Sequence, residues 1–139
     1  MGGLLTHFGA GLIGAIIIYF AFYKVKTRTK LISGGLFLLG NLLPDLVDFG
    51  VLGIQMGSLN PSEIMTNPLF DTLAIFGHTF SNWLIISLVF AGIILFIYEI
   101  EKISKKTLIW IFVAIILVLI GIFIHLRIDI LIQEANYWI

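Results

Sequence analysis

The chain has 139 residues, of which 60% are hydrophobic and 12% charged, and its formal net charge is zero. Ordinary soluble domains are about half apolar and about a quarter charged, so a water-soluble globule, which would be left with large exposed apolar patches, is excluded. The balanced charge gives no field that would select nucleic acid, and the absence of cysteine removes disulfides, thiolate metal sites and thiol nucleophiles.

A membrane-spanning helix needs roughly 20 mainly apolar residues. The first such run covers about residues 4–23 and closes on the basic stretch Lys24, Lys26, Arg28 and Lys30. It has no basic residue ahead of it and no small-residue cleavage site behind it, so it reads as a span and not as a cleavable signal. The second run, about 31–52, meets Pro44, Asp45 and Asp48, and Pro44 predicts a kink or an end of the helix nearby. A turn-rich outer segment follows at 55–67. There Asn60-Pro61-Ser62-Glu63 reads as a helix start, with Asn as cap, Pro first and Glu placed to reach back. Asn67-Pro68 repeats the signal and opens a third run, about 68–100. The fourth run, about 107–132, precedes a Tyr137-Trp138 pair suited to the membrane–water interface. The predicted fold is all-α: a single membrane domain of four transmembrane helices, with a short extracytoplasmic helix between the second and third.

Lys and Arg set orientation. They gather after the first run (Lys24, Lys26, Arg28, Lys30) and after the third (Lys102, Lys105, Lys106), and residues 55–77 carry none. Both termini and the 55–77 segment are therefore expected outside the cytoplasm, in a plasma or inner membrane.

On this frame the ionisable residues converge. His7 stands near the outer end of the first helix, Asp45 and Asp48 near that of the second, His78 in the outer part of the third, and His125 and Asp129 near that of the fourth. At about 1.5 Å per residue each lies roughly 21–31 Å from the basic end of its helix, a spread that tilt can absorb. Asp45 with Asp48 (i, i+3) and His125 with Asp129 (i, i+4) share helix faces. His7 shares its face with Gly11 and Gly14, His125 with Gly121, Asp45 with Asn41, and His78 with Asn82. Small residues let helices approach and Asn bonds across them, so these faces are expected to turn inward, with Asn41 and Asn82 supporting the polar group.

A carboxylate within the membrane costs about 2.5–3.5 kcal/mol on insertion scales, and three together repel one another. Arg127 is the one cation close in sequence, and it falls on another helix face. A divalent cation would neutralise the aspartates and use the imidazoles, and a His/Asp donor set suits Zn²⁺, with Mn²⁺ or Fe²⁺ as alternatives, as one ion or two. The plainer readings are interhelical hydrogen bonds for each histidine, capping for Asp45, dipole complementation for Glu63 and Asp71, and an interfacial position for Arg127. What sets the metal reading apart is that all four helices contribute.

Thr6-His7, Leu42-Leu43-Pro44-Asp45-Leu46-Val47-Asp48, Gly77-His78-Thr79 and His125-Leu126-Arg127-Ile128-Asp129 together resemble, in order and spacing, the small inner-membrane metal-dependent hydrolases of the YdjM-like group, a family distantly similar to zinc-dependent phospholipase C. The likeness spans about residues 6–130. The chain departs from the pattern in the spacing of its two aspartates and in lacking a His-Arg pair near Thr72 and Leu73. The resemblance implies metal-assisted hydrolysis, with a phosphoester of a membrane lipid as substrate. His7, Asp45, His78, His125 and Asp129 would be metal ligands, Asp48 a ligand or the general base, and Arg127 a contact for the phosphate. Two other functions fit the composition. A structural or accessory subunit would use the polar cluster only to lock helices. A metal or proton transporter would need a polar path through the cytoplasmic halves of the helices, and those halves carry almost no polar residues.

Overall fold

Apolar runs punctuated by Gly, Pro, Asn and basic residues fold into a chain of helices. The structure, a computed structural model, describes residues 2–101 and 103–132. The expected interfacial pair Tyr137-Trp138 and the contribution of Lys102 to a basic turn lie outside the described residues. The elements in order are α1 (Gly2–Ala21), α2 (Thr27–Asp45), a π-helical turn (Leu46–Gly50), α3 (Val51–Met56), α4 (Pro61–Ile64), α5 (Phe70–His78), α6 (Phe80–Glu101) and α7 (Lys105–Ile132). Among the described residues there is no strand. Three helical stretches, Thr27–Met56, Phe80–Glu101 and Lys105–Leu131, are long and apolar enough to cross a membrane.

The molecule is apolar outside and markedly polar within. Ile17, Phe20, Leu88 and Phe96 are each more than half exposed, while His7, Ser33, Asn41, Asp48, His78, His125 and Asp129 are buried. That inversion suits a hydrocarbon surround, where exposed apolar side chains cost nothing and polar groups need partners inside. α2 lies at the centre, between α1 and α7. Its crossing with α7 is a backbone-to-backbone approach: a Cβ on Gly40 would collide with the Val118 carbonyl, and one on Gly121 with the Phe37 carbonyl. On the other side Gly34 sits over the backbone of Ala15 in α1, and Gly11 lies against Leu38 and Asn41. Close approach through small residues brings the polar stripes of three helices within bonding distance of one another.

The second apolar run does not stop at Pro44. The missing N–H removes a rung from the helical ladder, and the chain absorbs the defect in the wide turn Leu46–Gly50 before resuming as α3. Such π turns cluster at functional sites, and this one carries Asp48. Helix α3 ends at Gly57, whose φ of 64° is a left-handed conformation suited to glycine.

The third apolar run departs from its expected course. Instead of one helix over 68–100, the chain breaks at Thr79, which is extended (φ −93°, ψ 109°). A break leaves helix-end carbonyls without partners, and three side chains meet them. Thr79 Oγ1 donates to Ile75 O at 2.6 Å, Asn82 Nδ2 to Phe76 O at 3.1 Å, and Trp83 Nε1 to Gly77 O at 2.5 Å. The outer segment folds as its motif predicts: Asn60 Oδ1 accepts from Ser62 N at 3.1 Å, and Glu63 accepts from Asn60 Nδ2 at 3.3 Å and from Ser58 Oγ at 2.5 Å. Asn67 Oδ1 accepts from Leu69 N at 2.9 Å and leads into α5.

Candidate metal centre

Six ionisable residues from five elements of the chain meet at one end of the bundle. His7 comes from α1, Asp45 from the last position of α2, Asp48 from the π turn, His78 from the last position of α5, and His125 and Asp129 from one face of α7. Five of the six are buried, and the side chain of Asp45 is 16% exposed. Asp45 therefore forms the open edge of the group.

Four donor atoms lie at nearly equal separations. His125 Nε2 is 3.3 Å from Asp129 Oδ2, 3.4 Å from His78 Nε2 and 3.5 Å from Asp45 Oδ1. His78 Nε2 is 3.6 Å from Asp129 Oδ2 and 3.7 Å from Asp45 Oδ1. A tetrahedron of N and O donors about 2.0–2.1 Å from a central ion has edges of about 3.3–3.4 Å. The three edges of the His78–His125–Asp129 face, 3.3–3.6 Å, stand within a few tenths of an ångström of that length. The buried His78–His125–Asp129 trio and the His7–Asp45–His125 trio each bring their donor atoms within 4.8 Å of one another, so these groups can hold a metal ion.

Hydrogen bonding fixes what one of the atoms presents. His78 Nδ1 lies 3.1 Å from the carbonyl of Ala74. A carbonyl only accepts, so Nδ1 carries a proton, and in the neutral ring Nε2 then turns a lone pair toward the centre, a metal ligand's usual arrangement. That lone pair faces two carboxylate oxygens, and acceptors confronting acceptors need a positive charge between them. No described Lys or Arg supplies it: every ion pair of the described aspartates is with histidine. Arg127 is exposed and places its guanidinium 4.9 Å over the Phe123 ring. The buried atoms His125 Nδ1, Asn41 Oδ1 and Asp129 Oδ2 also have no hydrogen-bond partner. A cation among the four donors would satisfy Asp129 Oδ2.

The remaining expected residues stand around this core. His7 Nε2 is 2.8 Å from Asp129 Oδ1, so it grips the oxygen of Asp129 opposite the one turned to His78 and His125, and its ring stacks on His125 at 3.9 Å. Asp48 lies behind His78: its Oδ2 is 3.7 Å from Nδ1, and its Oδ1 accepts from Phe49 N at 2.6 Å. Asn41 donates to Gly121 O at 3.4 Å and ties α2 to α7 just below the cluster. Asn82 and Arg127 make their contacts elsewhere, Asn82 on the Phe76 carbonyl. Glu63 is engaged within its own turn, and Asp71 is exposed in the first turn of α5.

Two contributors carry little sequence signal. The Ala74 carbonyl, which orients His78, is a backbone group, invisible in residue type. Trp83 holds the end of α5 through Gly77; its indole amid apolar neighbours was the available hint, since a buried indole N–H needs an acceptor. Comparison with models of protein families, with curated proteins and with solved structures finds no match to this chain.

Proposed function

We propose that the chain is a membrane-embedded metal-dependent hydrolase acting on a phosphoester of a lipid or lipid-linked substrate at the outer membrane face. The observation that carries this reading is the asymmetry of the donor set: three buried donors, His78, His125 and Asp129, beside one donor, Asp45, at an exposed edge. Three protein ligands with an open fourth position is the arrangement of hydrolytic zinc sites, whereas closed sites are structural. The resemblance to the YdjM-like hydrolases supports the same chemistry. In this reading α1 and the unit formed by α5 and α6 complete four spans. The cationic loops face the cytoplasm, and the cluster opens outward in a plasma or inner membrane.

Zn²⁺ is the preferred occupant, with Mn²⁺ or Fe²⁺ suited to the same N/O donors. One ion fits the His78–His125–Asp129 group, and the His7–Asp45–His125 group offers a second position. A metal bound there supplies an acidified water and polarises a phosphoryl oxygen. The chain's own residues do the rest. His78 and His125 present Nε2, and His7 holds the Asp129 carboxylate in place. Asp48, 3.7 Å from the rear nitrogen of His78, sets a carboxylate beside the ring that the Ala74 carbonyl orients. Asp45, at the open edge, accepts the proton from the attacking water. Arg127 is the cation assigned to the substrate phosphate.

One observation favours a second reading. Asp45 Oδ1 lies 3.7 Å from His78 Nε2 and 3.5 Å from His125 Nε2, close enough to serve as a further ligand in a closed clamp joining α2, α5 and α7 without catalysis. Asp45→Asn separates the two. Loaded wild-type protein in lipid–detergent micelles is assayed for release of the phosphorylated headgroup, with bound metal measured in parallel. The hydrolase reading expects Asp45→Asn to keep its metal and lose turnover by about 10²–10⁴-fold, the usual contribution of a general base. Wild type that is fully loaded yet inert, with metal lost from Asp45→Asn, establishes the clamp.

A further inference from the structure

At the opposite end of the bundle, α1 and α2 diverge around a second feature. Between them runs an open groove of about 250 Å³, lined by Ala15, Tyr19, Lys30, Gly34, Gly35 and Leu38 among others. Its walls are apolar for most of its length, and one end carries a charge. Lys30 projects its ammonium 5.2 Å over the Tyr19 ring at that end. From Lys30 to Leu38 the groove follows α2 for roughly 12 Å at the helical rise. Gly35 opens onto it: a Cβ added there would meet nothing within 4 Å.

The charge at this end is unbalanced. Lys24, Lys26 and Arg28 lie in the connection leading to Lys30, and no carboxylate of a described residue lies within 4 Å of any of the four. Four cations paired with no carboxylate of a described residue, beside an apolar channel on the outside of a membrane bundle, complement a molecule with one anionic group and one long apolar chain. Basic pockets between helices on the cytoplasmic side of a membrane recognise anionic headgroups in this way.

We propose that the α1–α2 groove binds one anionic phospholipid from the leaflet on the basic side, with an acyl chain along Gly34 and Gly35 and the phosphate on Lys30 beside Tyr19. The site lies on the basic end of the bundle, away from the His/Asp cluster, and a lipid held there is a structural partner and not a substrate. The inference rests on the reading of these helices as membrane spans, but not on hydrolysis.

The test is lipid retention. Wild-type protein is reconstituted with equal phosphatidylglycerol and phosphatidylcholine, transferred to mild detergent, and weighed intact by native mass spectrometry. One phosphatidylglycerol per chain is expected to be retained in preference to phosphatidylcholine. Gly35→Leu, whose Cβ meets nothing within 4 Å and whose longer side chain fills the groove, is expected to abolish retention at unchanged helicity and metal content. Lys30→Gln is expected to weaken the preference for phosphatidylglycerol by about five-fold or more, the effect of losing one cation at a membrane surface, and Lys24→Gln by less. Equal retention of the two lipids by wild type overturns the proposal. So does undiminished retention by folded Gly35→Leu, or equal losses from Lys24→Gln and Lys30→Gln. If Gly35→Leu does not fold, the lysine pair decides. Wild type that stays dispersed in buffer without detergent overturns the membrane reading itself, a result distinct from a detergent-requiring protein that retains no phosphatidylglycerol.

Discussion

Helices α2 and α6 are both long and apolar enough to cross a membrane, yet they live in opposite surroundings. α2 buries Ser33, Gly34, Phe37, Gly40, Asn41 and Pro44, and continues into the cluster through Asp45 and Asp48. α6 buries only Trp83, at its first turn, and leaves Leu88, Val89 and Phe96 more than half exposed. Apolar side chains do not draw either helix inward, because hydrocarbon gives an apolar side chain no reason to prefer the protein interior, and α2 is the less apolar of the two. What draws α2 inside is glycine, which admits neighbouring backbones, and polar side chains, which must find partners there.

Substitutions should scale with this difference. The largest effect is expected from His125→Ala, which removes a fully buried ring contacting His7, His78, Asp45 and Asp129. Removing this partner leaves buried carboxylate oxygens uncompensated at about 3–5 kcal/mol, and the melting temperature in detergent reads it. If this variant melts with wild type, the cluster does not hold α7 in place.

Next comes Gly121→Ala. The added methyl meets the Phe37 carbonyl and the Asn41 amide with no flexible atom to yield, and overpacking of this kind costs about 1–3 kcal/mol. Its counterpart in α6, Gly92→Ala, meets nothing within 4 Å and should leave the melting temperature in place. A similar loss in both variants would show that helix propensity, not close approach, governs the effect.

A smaller change is expected from Trp83→Phe. It preserves most of the packing but removes the donor to Gly77 O, leaving a buried carbonyl unsatisfied at about 1–3 kcal/mol. Because that bond secures the turn carrying His78, hydrogen exchange should accelerate over α5 before it does over α7. Leu88→Ala on the outer face of α6 marks the floor, with a change of about 0.5 kcal/mol or less in stability.

The same contrast separates what the sequence reveals from what it conceals. Composition and run length disclose an all-helical chain with apolar spans, and the Asn60-Pro61-Ser62-Glu63 start forms as its pattern demands. The gathering of His7, Asp45, His78, His125 and Asp129 was legible because antiparallel helices of similar length put those positions at one depth. The break at Thr79 was not: it contains no proline, and its cause is the side-chain rescue of three carbonyls, visible only once Thr79, Asn82 and Trp83 are placed in space. Nor does Pro44 announce whether a helix ends or widens into a π turn; packing of Gly77 against the Pro44 carbonyl belongs to that outcome. Spacing placed Asp45 and Asp48 on one face, and the wide turn instead sets Asp48 behind His78 and Asp45 at the edge. Asn82, expected beside the histidine on its own face, is drawn off to the broken helix end.

On this reading a cation joins the donor atoms of His78, His125 and Asp129, with Asp45 at their open edge. Metal content of the detergent-purified protein by elemental analysis, after removal of loosely bound ions, tests it most directly. At least one transition-metal ion per wild-type chain is expected, with near-complete loss in His125→Ala and in Asp129→Asn. Metal well below one per chain in wild type, unchanged by either substitution, would contradict it and leave the cluster as a proton-bridged lock between helices.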